Sequence, residues 1–351
     1  VLQPLEVKGI SPRQQWSLFP YASSTVDEVS NDTDYKAGFD LFWRPSTSLQ
    51  LTATANPDFG TVEADDVVVN LSAFEVFFPE KRLFFLEGRE IFQETPRAGS
   101  GGNSGPPLTL LNTRRIGGPP GVPEAAEDLE FSTREENQLT ELYGAAKVTG
   151  QVGRFRYGVL SAFEDDTDLR AETGEVVTAD GRDYGVGRVL YENTSGGEYR
   201  ALGLMSTLTR DTERDAYANG VDYHLLSSTG WLKIDGQFLH SHLDGEGNGF
   251  GGFMDMTVTP RTGLNHSLEF TYFDDTLNIN DLGFLRRNDV IGVAGRSEWV
   301  KSGLSRIRDF RVQPFFRYEE NNDGEAIRSG LGSSAEFTLN NLSEIEVLSL
   351  I

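Results

Sequence analysis

From Asp34 onward the chain repeats one unit, an alternating run of about ten residues followed by a polar turn, and a period of two belongs to strands rather than helices. In YKAGFDLFWRPSTSLQLTATANPDF, Ala37, Phe39, Leu41 and Trp43 alternate with other residues up to Pro45-Ser46-Thr47, and the alternation resumes at Leu49, Leu51, Ala53 and Ala55. That is a hairpin pattern. ELYGAAKVTGQVGRFRYGVLSAFEDD turns near Gly150 to Gly153 and places Phe155, Tyr157, Val159 and Phe163 on one face of the return strand. The same rhythm recurs in RDYGVGRVLYENTSGGEYRALGLMSTLTRD, AYANGVDYHLLSSTGWLKIDGQFLHSHLDG, GGFMDMTVTPRTGLNHSLEFTYFDD and RDFRVQPFFRYEENNDGEAIRSGLGSSAEFTLNN. The expected class is all-β and antiparallel.

These runs are long, about nine to twelve residues, where strands of soluble sandwiches most often have about five or six. A tilted strand needs about nine to eleven residues to cross a bilayer. Trp16, Trp43, Tyr143, Tyr157, Tyr191, Tyr199, Tyr217, Trp231, Tyr272, Trp299 and Tyr318 fall near run ends, where interfacial girdles sit. Short turns at Ser227-Ser228-Thr229-Gly230 and Pro260-Arg261-Thr262-Gly263 alternate with longer acidic connections such as 164–183, as in an outer-membrane barrel. A large soluble β-protein with its aromatics in the core fits the alternation too. Helical insertion is excluded, because no run approaches the ~20 apolar residues of a spanning helix. The amino-terminal VLQPLEVKGISPRQQW also lacks a basic segment followed by an apolar core.

Lys plus Arg number 31 against 54 Asp plus Glu, a net charge of −23, so a nucleic-acid backbone would meet a repulsive field. Absence of cysteine removes thiol chemistry, thiolate metal sites and any disulfide framework.

Between Asn56 and about Leu139 the rhythm stops, and residues 57–139 read as an irregular insertion within a single domain over 1–351. Its first part, NPDFGTVEADDVVVNLSAFEVFFPEKRLFFLEGREIF, interleaves Glu63, Asp65, Glu75, Glu80, Lys81, Arg82, Glu87 and Arg89 with Phe77, Phe78, Phe84 and Phe85. Its second part, TPRAGSGGNSGPPLTLLNTRRIGGPPGVPEAAED, is too rich in Gly, Pro and Ser for a regular element. Folded inward, the insertion would place charges in a wet lumen and phenylalanines on the wall, acting as a plug. Folded outward, it would be a flap over one barrel end. Arg114, Arg115, Arg286 and Arg287 are candidate lumen arginines.

That long block, together with TRRIGGPP, GAAKVTGQVGRFRYGVLSA and NDLGFLRRND, resembles a bacterial outer-membrane family of unknown function that usually follows a carbohydrate-binding-module-nine-like domain. The resemblance implies an outer-membrane β-barrel preceded by a periplasmic sugar-binding-like module, with activity unassigned. The sequence starts at about the first barrel strand and ends in EIEVLSLI without a terminal aromatic. The sugar-binding-like domain and the last strands are accordingly expected to lie outside it.

Catalytic motifs are missing: His224, His240, His242 and His266 accompany no Gly-x-Ser-x-Gly or His-Glu-x-x-His arrangement. Adjacent carboxylate pairs such as Asp165-Asp166 are expected on solvated acidic loops. DGEGNGFGGFMD places Asp244, Glu246, Asn248 and Asp255 at positions one, three, five and twelve of a calcium loop, but strands flank it and Asp replaces the terminal Glu. A weak calcium site or a plain acidic hairpin both fit. No other cofactor is expected and no enzymatic activity. The expectation is a transmembrane barrel of the outer membrane, in contact with lipid and other subunits. It either passes a small polar or carbohydrate-related solute or anchors a sugar-binding-like module without transport.

Overall fold

The computed structural model describes residues 14–27, 32–58, 74–99, 107–305 and 307–350. Fifteen strands form one sheet in which every neighbouring pair is antiparallel. Strands β1 (Gln15–Asp27), β2 (Asp32–Ser46) and β3 (Leu49–Ala55) open it, followed by β4 (Leu142–Val152) and β5 (Phe155–Glu164). A separate two-stranded ribbon, β6 (Thr167–Arg170) and β7 (Val176–Ala179), leads to β8 (Asp183–Asn193), which pairs with β5. The meander continues through β9 (Tyr199–Arg210), β10 (Asp215–Leu226), β11 (Leu232–Leu243), β12 (Gly247–Arg261) and β13 (Leu264–Phe273). It ends with β14 (Val290–Ser302), β15 (Ile307–Glu320), β16 (Ala326–Leu339) and β17 (Glu344–Leu350). The chain is all-β, as its periodicity requires.

The expected closed barrel is not formed among the described residues: β1 and β17 are the two edges of the sheet. The reason is geometric. With every neighbour antiparallel, the first and fifteenth strands run in the same direction and cannot pair antiparallel with each other.

The two faces of the sheet differ in what they carry. On β9, Ala201, Gly203, Met205, Thr207 and Thr209 point to a covered face, while Leu202 and Leu204 are 53% and 56% exposed on the other. On β5, Leu160, Ala162 and Glu164 are covered, whereas Phe155, Val159 and Phe163 are exposed. Phe238, Phe250, Phe270, Trp299 and Phe316 extend the exposed apolar surface along later strands. The covered face carries the charges: Lys147, Arg188, Asp222 and Asp235 are all buried.

What covers that face is the chain between β3 and β4. Its described residues contain two single-turn α-helices, α1 (Leu83–Leu86) and α2 (Thr133–Glu136), and short 3-10 turns, but no strand of the sheet. Leu-Phe-Phe-Leu is too short for a stable helix alone. Burial of Phe84 and Phe85 fixes it, with Lys147 of β4 donating to the Phe84 carbonyl at 2.6 Å and to the Glu87 carbonyl. A cation thus meets the unpaired carbonyls at the helix C-terminus. Phe92 lies over β5 where Gly158 stands, and a Cβ there would come within 2.7 Å of the ring. Burying Phe84, Phe85, Ile91 and Phe92 contributes roughly 1.5–3 kcal/mol each. Farther along, Thr109 and Phe284 exchange backbone hydrogen bonds of 3.1 and 2.8 Å, tying this segment to the β13–β14 connection.

Candidate functional site

Arginines tie the segment to the charged face and brace it internally. At β8, Arg188 forks onto Asp222 of β10, with Nη2 to Oδ2 at 2.8 Å, and its Nε donates to the Ile91 carbonyl at 3.2 Å. The two side chains cross β9 above Gly203, where a Cβ would stand 2.6 Å from the guanidinium nitrogens. His224 continues the network, its Nε2 3.0 Å from Asp222 and its Nδ1 2.7 Å from Asp235, which Lys233 meets at 2.8 Å. Arg97 grips Asp255 of β12 through two bonds of 2.8 and 2.5 Å, reaches Thr271 at 3.0 Å and stacks on Phe253 at 4.0 Å. Glu80 holds Arg82 at 2.7 Å, and Arg82 donates to the carbonyls of Thr113 and Ile116 at 2.5 and 2.7 Å. Burial alone would raise the Glu80 carboxyl, yet the hydrogen bonds from Arg82 and Thr113 hold it below its ordinary value.

Glu94 is the exception in this paired set. It is fully buried, accepts from the Leu110 amide at 2.7 Å, and has Thr109 Oγ1 3.3 Å from its second oxygen. Burial raises its pKa from 4.5 to about 7, with Asp222 adding to the effect against Arg188. Between these two values the folded chain retains a proton that the unfolded chain has lost. Stability is therefore full below pH 4.5 and falls as the pH rises to about 7, by an amount on the order of 3 kcal/mol. Glu94→Gln offers an amide donor where the protonated acid offers its O–H, and is expected to flatten this slope in denaturant titrations across that range. A variant with the parental slope would place the titrating group elsewhere.

The segment covers β4 to β13 and leaves space beside β12 to β16. Two adjoining cavities of about 460 and 660 Å³ fill it, sharing Asp255, Glu269, Ala294, Arg317 and Arg328 in their linings. Gly292 and Ala294 of β14 keep the wall of the first one low.

The structure places the residues read from the sequence in several different settings. Glu63 and Asp65 lie outside the described residues. Phe77 packs edge-on against Phe284 at 5.1 Å, Phe78 and Lys81 are half-buried, and Phe84 and Phe85 enter the core. Glu75 pairs with Arg115 at 2.6 Å, and Arg114 donates to the Pro79 carbonyl at 3.3 Å. Glu87 does not join Glu80 and Arg82 but meets Arg44 of β2 at 2.7 Å, while Arg89 is exposed. Arg286 stacks on Phe74 at 4.7 Å, and both it and Arg287 border the first cavity.

The calcium-loop residues are not brought together. Asp244 and Glu246 sit in the β11–β12 turn, but Asn248 and Asp255 both belong to β12, roughly 23 Å apart along a strand. An odd separation puts them on opposite faces. Asn248 lies 3.2 and 3.1 Å from ring nitrogens of His240 and His242, while Asp255 is bound to Arg97. Among the described residues no cluster of three or more His, Cys, Asp or Glu could hold a metal ion.

Lys147, Arg188, Asp222, Asp235, Glu94, Arg97, Arg317 and Arg328 escaped the sequence reading. The signal was present for the strand members. Each is a charge in a long alternating run, sharing parity with small residues such as Gly220 beside Asp222 and Gly330 near Arg328.

No curated protein matches the chain. Residues 12–347, nearly the full length, match the family described as a domain of unknown function, DUF5916, and the chain belongs to that family.

Proposed function

We propose that the chain is a transmembrane β-barrel of a bacterial outer membrane that passes a small polar solute through the space beside β12 to β16. One observation carries the reading: large apolar side chains stand exposed on one face of the sheet, while Lys147, Arg188, Asp222 and Asp235 are buried on the other. Water on the first face would meet exposed large apolar side chains on many strands, for which lipid is the natural cover. Closure with antiparallel neighbours throughout takes an even strand number, so the proposal includes an odd number of further strands between β1 and β17. In this reading residues 74–99 and 107–140 lie in the lumen as a plug, and the family resemblance adds a periplasmic sugar-binding-like partner. The apolar packing of Phe85, Leu110 and Ile116 favours a second reading, a filled barrel that serves as a membrane anchor without transport.

The protein is expected to require detergent for recovery, to migrate faster unheated than heated in gels, and to conduct in planar bilayers. Recovery as a soluble monomer without detergent would defeat the barrel. A detergent-solubilised, heat-modifiable protein with no conductance would establish the anchor instead.

A further inference from the structure

We infer that the cavity beside β12 to β16 is an oxyanion site, selective for small solutes bearing a carboxylate or phosphate. Five arginines line it, Arg97, Arg286, Arg287, Arg317 and Arg328, in a chain where acids greatly outnumber bases. Three carboxylates face them. Asp255 is taken by Arg97, Glu269 has a partner of its own, and Glu319 lies at a loose 3.6 Å from Arg317. Among the described residues, Arg286, Arg287 and Arg328 have no carboxylate within 4.0 Å.

These three side chains come from two separate parts of the fold. Arg286 and Arg287 sit on the connection between β13 and β14, and Arg328 is on β16, opposite Glu319 in register. Their convergence on one cavity is a product of the sheet and not of local sequence. The cavity between them holds about 460 Å³, with Gly292 and Ala294 of β14 on its wall, and in the adjoining cavity a Cβ on Gly330 of β16 would touch nothing within 4 Å. Phe74 against the flat face of Arg286 orients that guanidinium while leaving its N–H edge for a ligand. A guanidinium edge is a planar fork that matches both oxygens of a carboxylate or two of a phosphate, and a lysine would not select them in this way. A neutral sugar offers no charge to three such groups.

The inference deepens the passage reading and rests on it for its role in transport, but the binding site can be tested apart from conductance. The full chain in detergent micelles is titrated calorimetrically with inorganic phosphate, with succinate, and with glucose as a neutral control. Phosphate, succinate or both are expected to bind and glucose not to, and whichever binds names the headgroup. The triple variant Arg286→Gln, Arg287→Gln, Arg328→Gln is expected to weaken binding at least about tenfold. Because Arg286, Arg287 and Arg328 are exposed, the variant is expected to fold, which heat-modifiable migration checks. The Arg→Lys triple variant, which keeps the charge, serves in its place if it does not. In bilayers under a KCl gradient, the reversal potential of the parent is expected on the chloride side, shifting toward potassium in the Gln variant. Failure of both anions to bind, or unaltered binding by the Gln variant, overturns the site while a conducting pore would still uphold passage. Anion binding without conductance would uphold the site and overturn passage.

Discussion

Arg188→Ala is expected to lower the stability of the folded chain by about 3–5 kcal/mol, the largest loss for any single charge removed from the covered face. Arg188 and Asp222 have side chains 1% and 0% exposed, so removing the guanidinium leaves a carboxylate without water and with His224 as its remaining ionic neighbour. The Ile91 carbonyl loses its donor in the same step, and Ile91 and Phe92 lose the anchor that holds them over β5 and β8. Removing both charges is a different matter. Arg188→Met with Asp222→Leu leaves no stranded ion, and the double variant should recover most of the loss, since a buried pair is often replaceable by apolar groups of similar volume. Equilibrium unfolding in guanidinium, carried out in micelles, measures both. A loss below about 1 kcal/mol for Arg188→Ala would mean that water reaches the pair.

Excising residues 58–140 and joining β3 to β4 by a short Gly/Ser turn is expected to leave the sheet assembled and raise single-channel conductance several-fold. The excision is sterically cheap because Ala55 already pairs with Gly144, so the two chain ends are hydrogen-bonded neighbours. None of the fifteen ladder strands is lost. The face laid bare carries Lys147, Arg188, Asp222 and Asp235, which hydrate readily once the segment is gone, although Leu160, Val186 and Met205 become exposed with them. Heat-modifiable migration reports assembly, and planar bilayers report the open path. Parental conductance in an assembled variant would show that the segment does not narrow the route. Failure to assemble would instead make the contacts of Phe84, Phe85 and Phe92 a condition for folding the wall.

The strands were legible in the sequence because their signal is local. Alternation over β9 and β10, with Ser227 to Gly230 between β10 and β11, needs only period two and a turn to be read. Which side of each strand is covered was not legible, because both parities carry apolar residues: Leu202 and Leu204 on one, Ala201 and Met205 on the other. That choice is made by what lies across the sheet. The same holds for charges. Arg188 finds Asp222 thirty-four positions away by crossing an intervening strand at Gly203, and Arg97 finds Asp255 at a separation of 158. Glu87 takes Arg44 in place of its sequence neighbours, and Asn248 and Asp255, spaced as calcium ligands, are sent to opposite faces by the pleat of β12. A strand's period is written in its own residues, whereas a partner depends on register summed over many strands and on the segment folded against them.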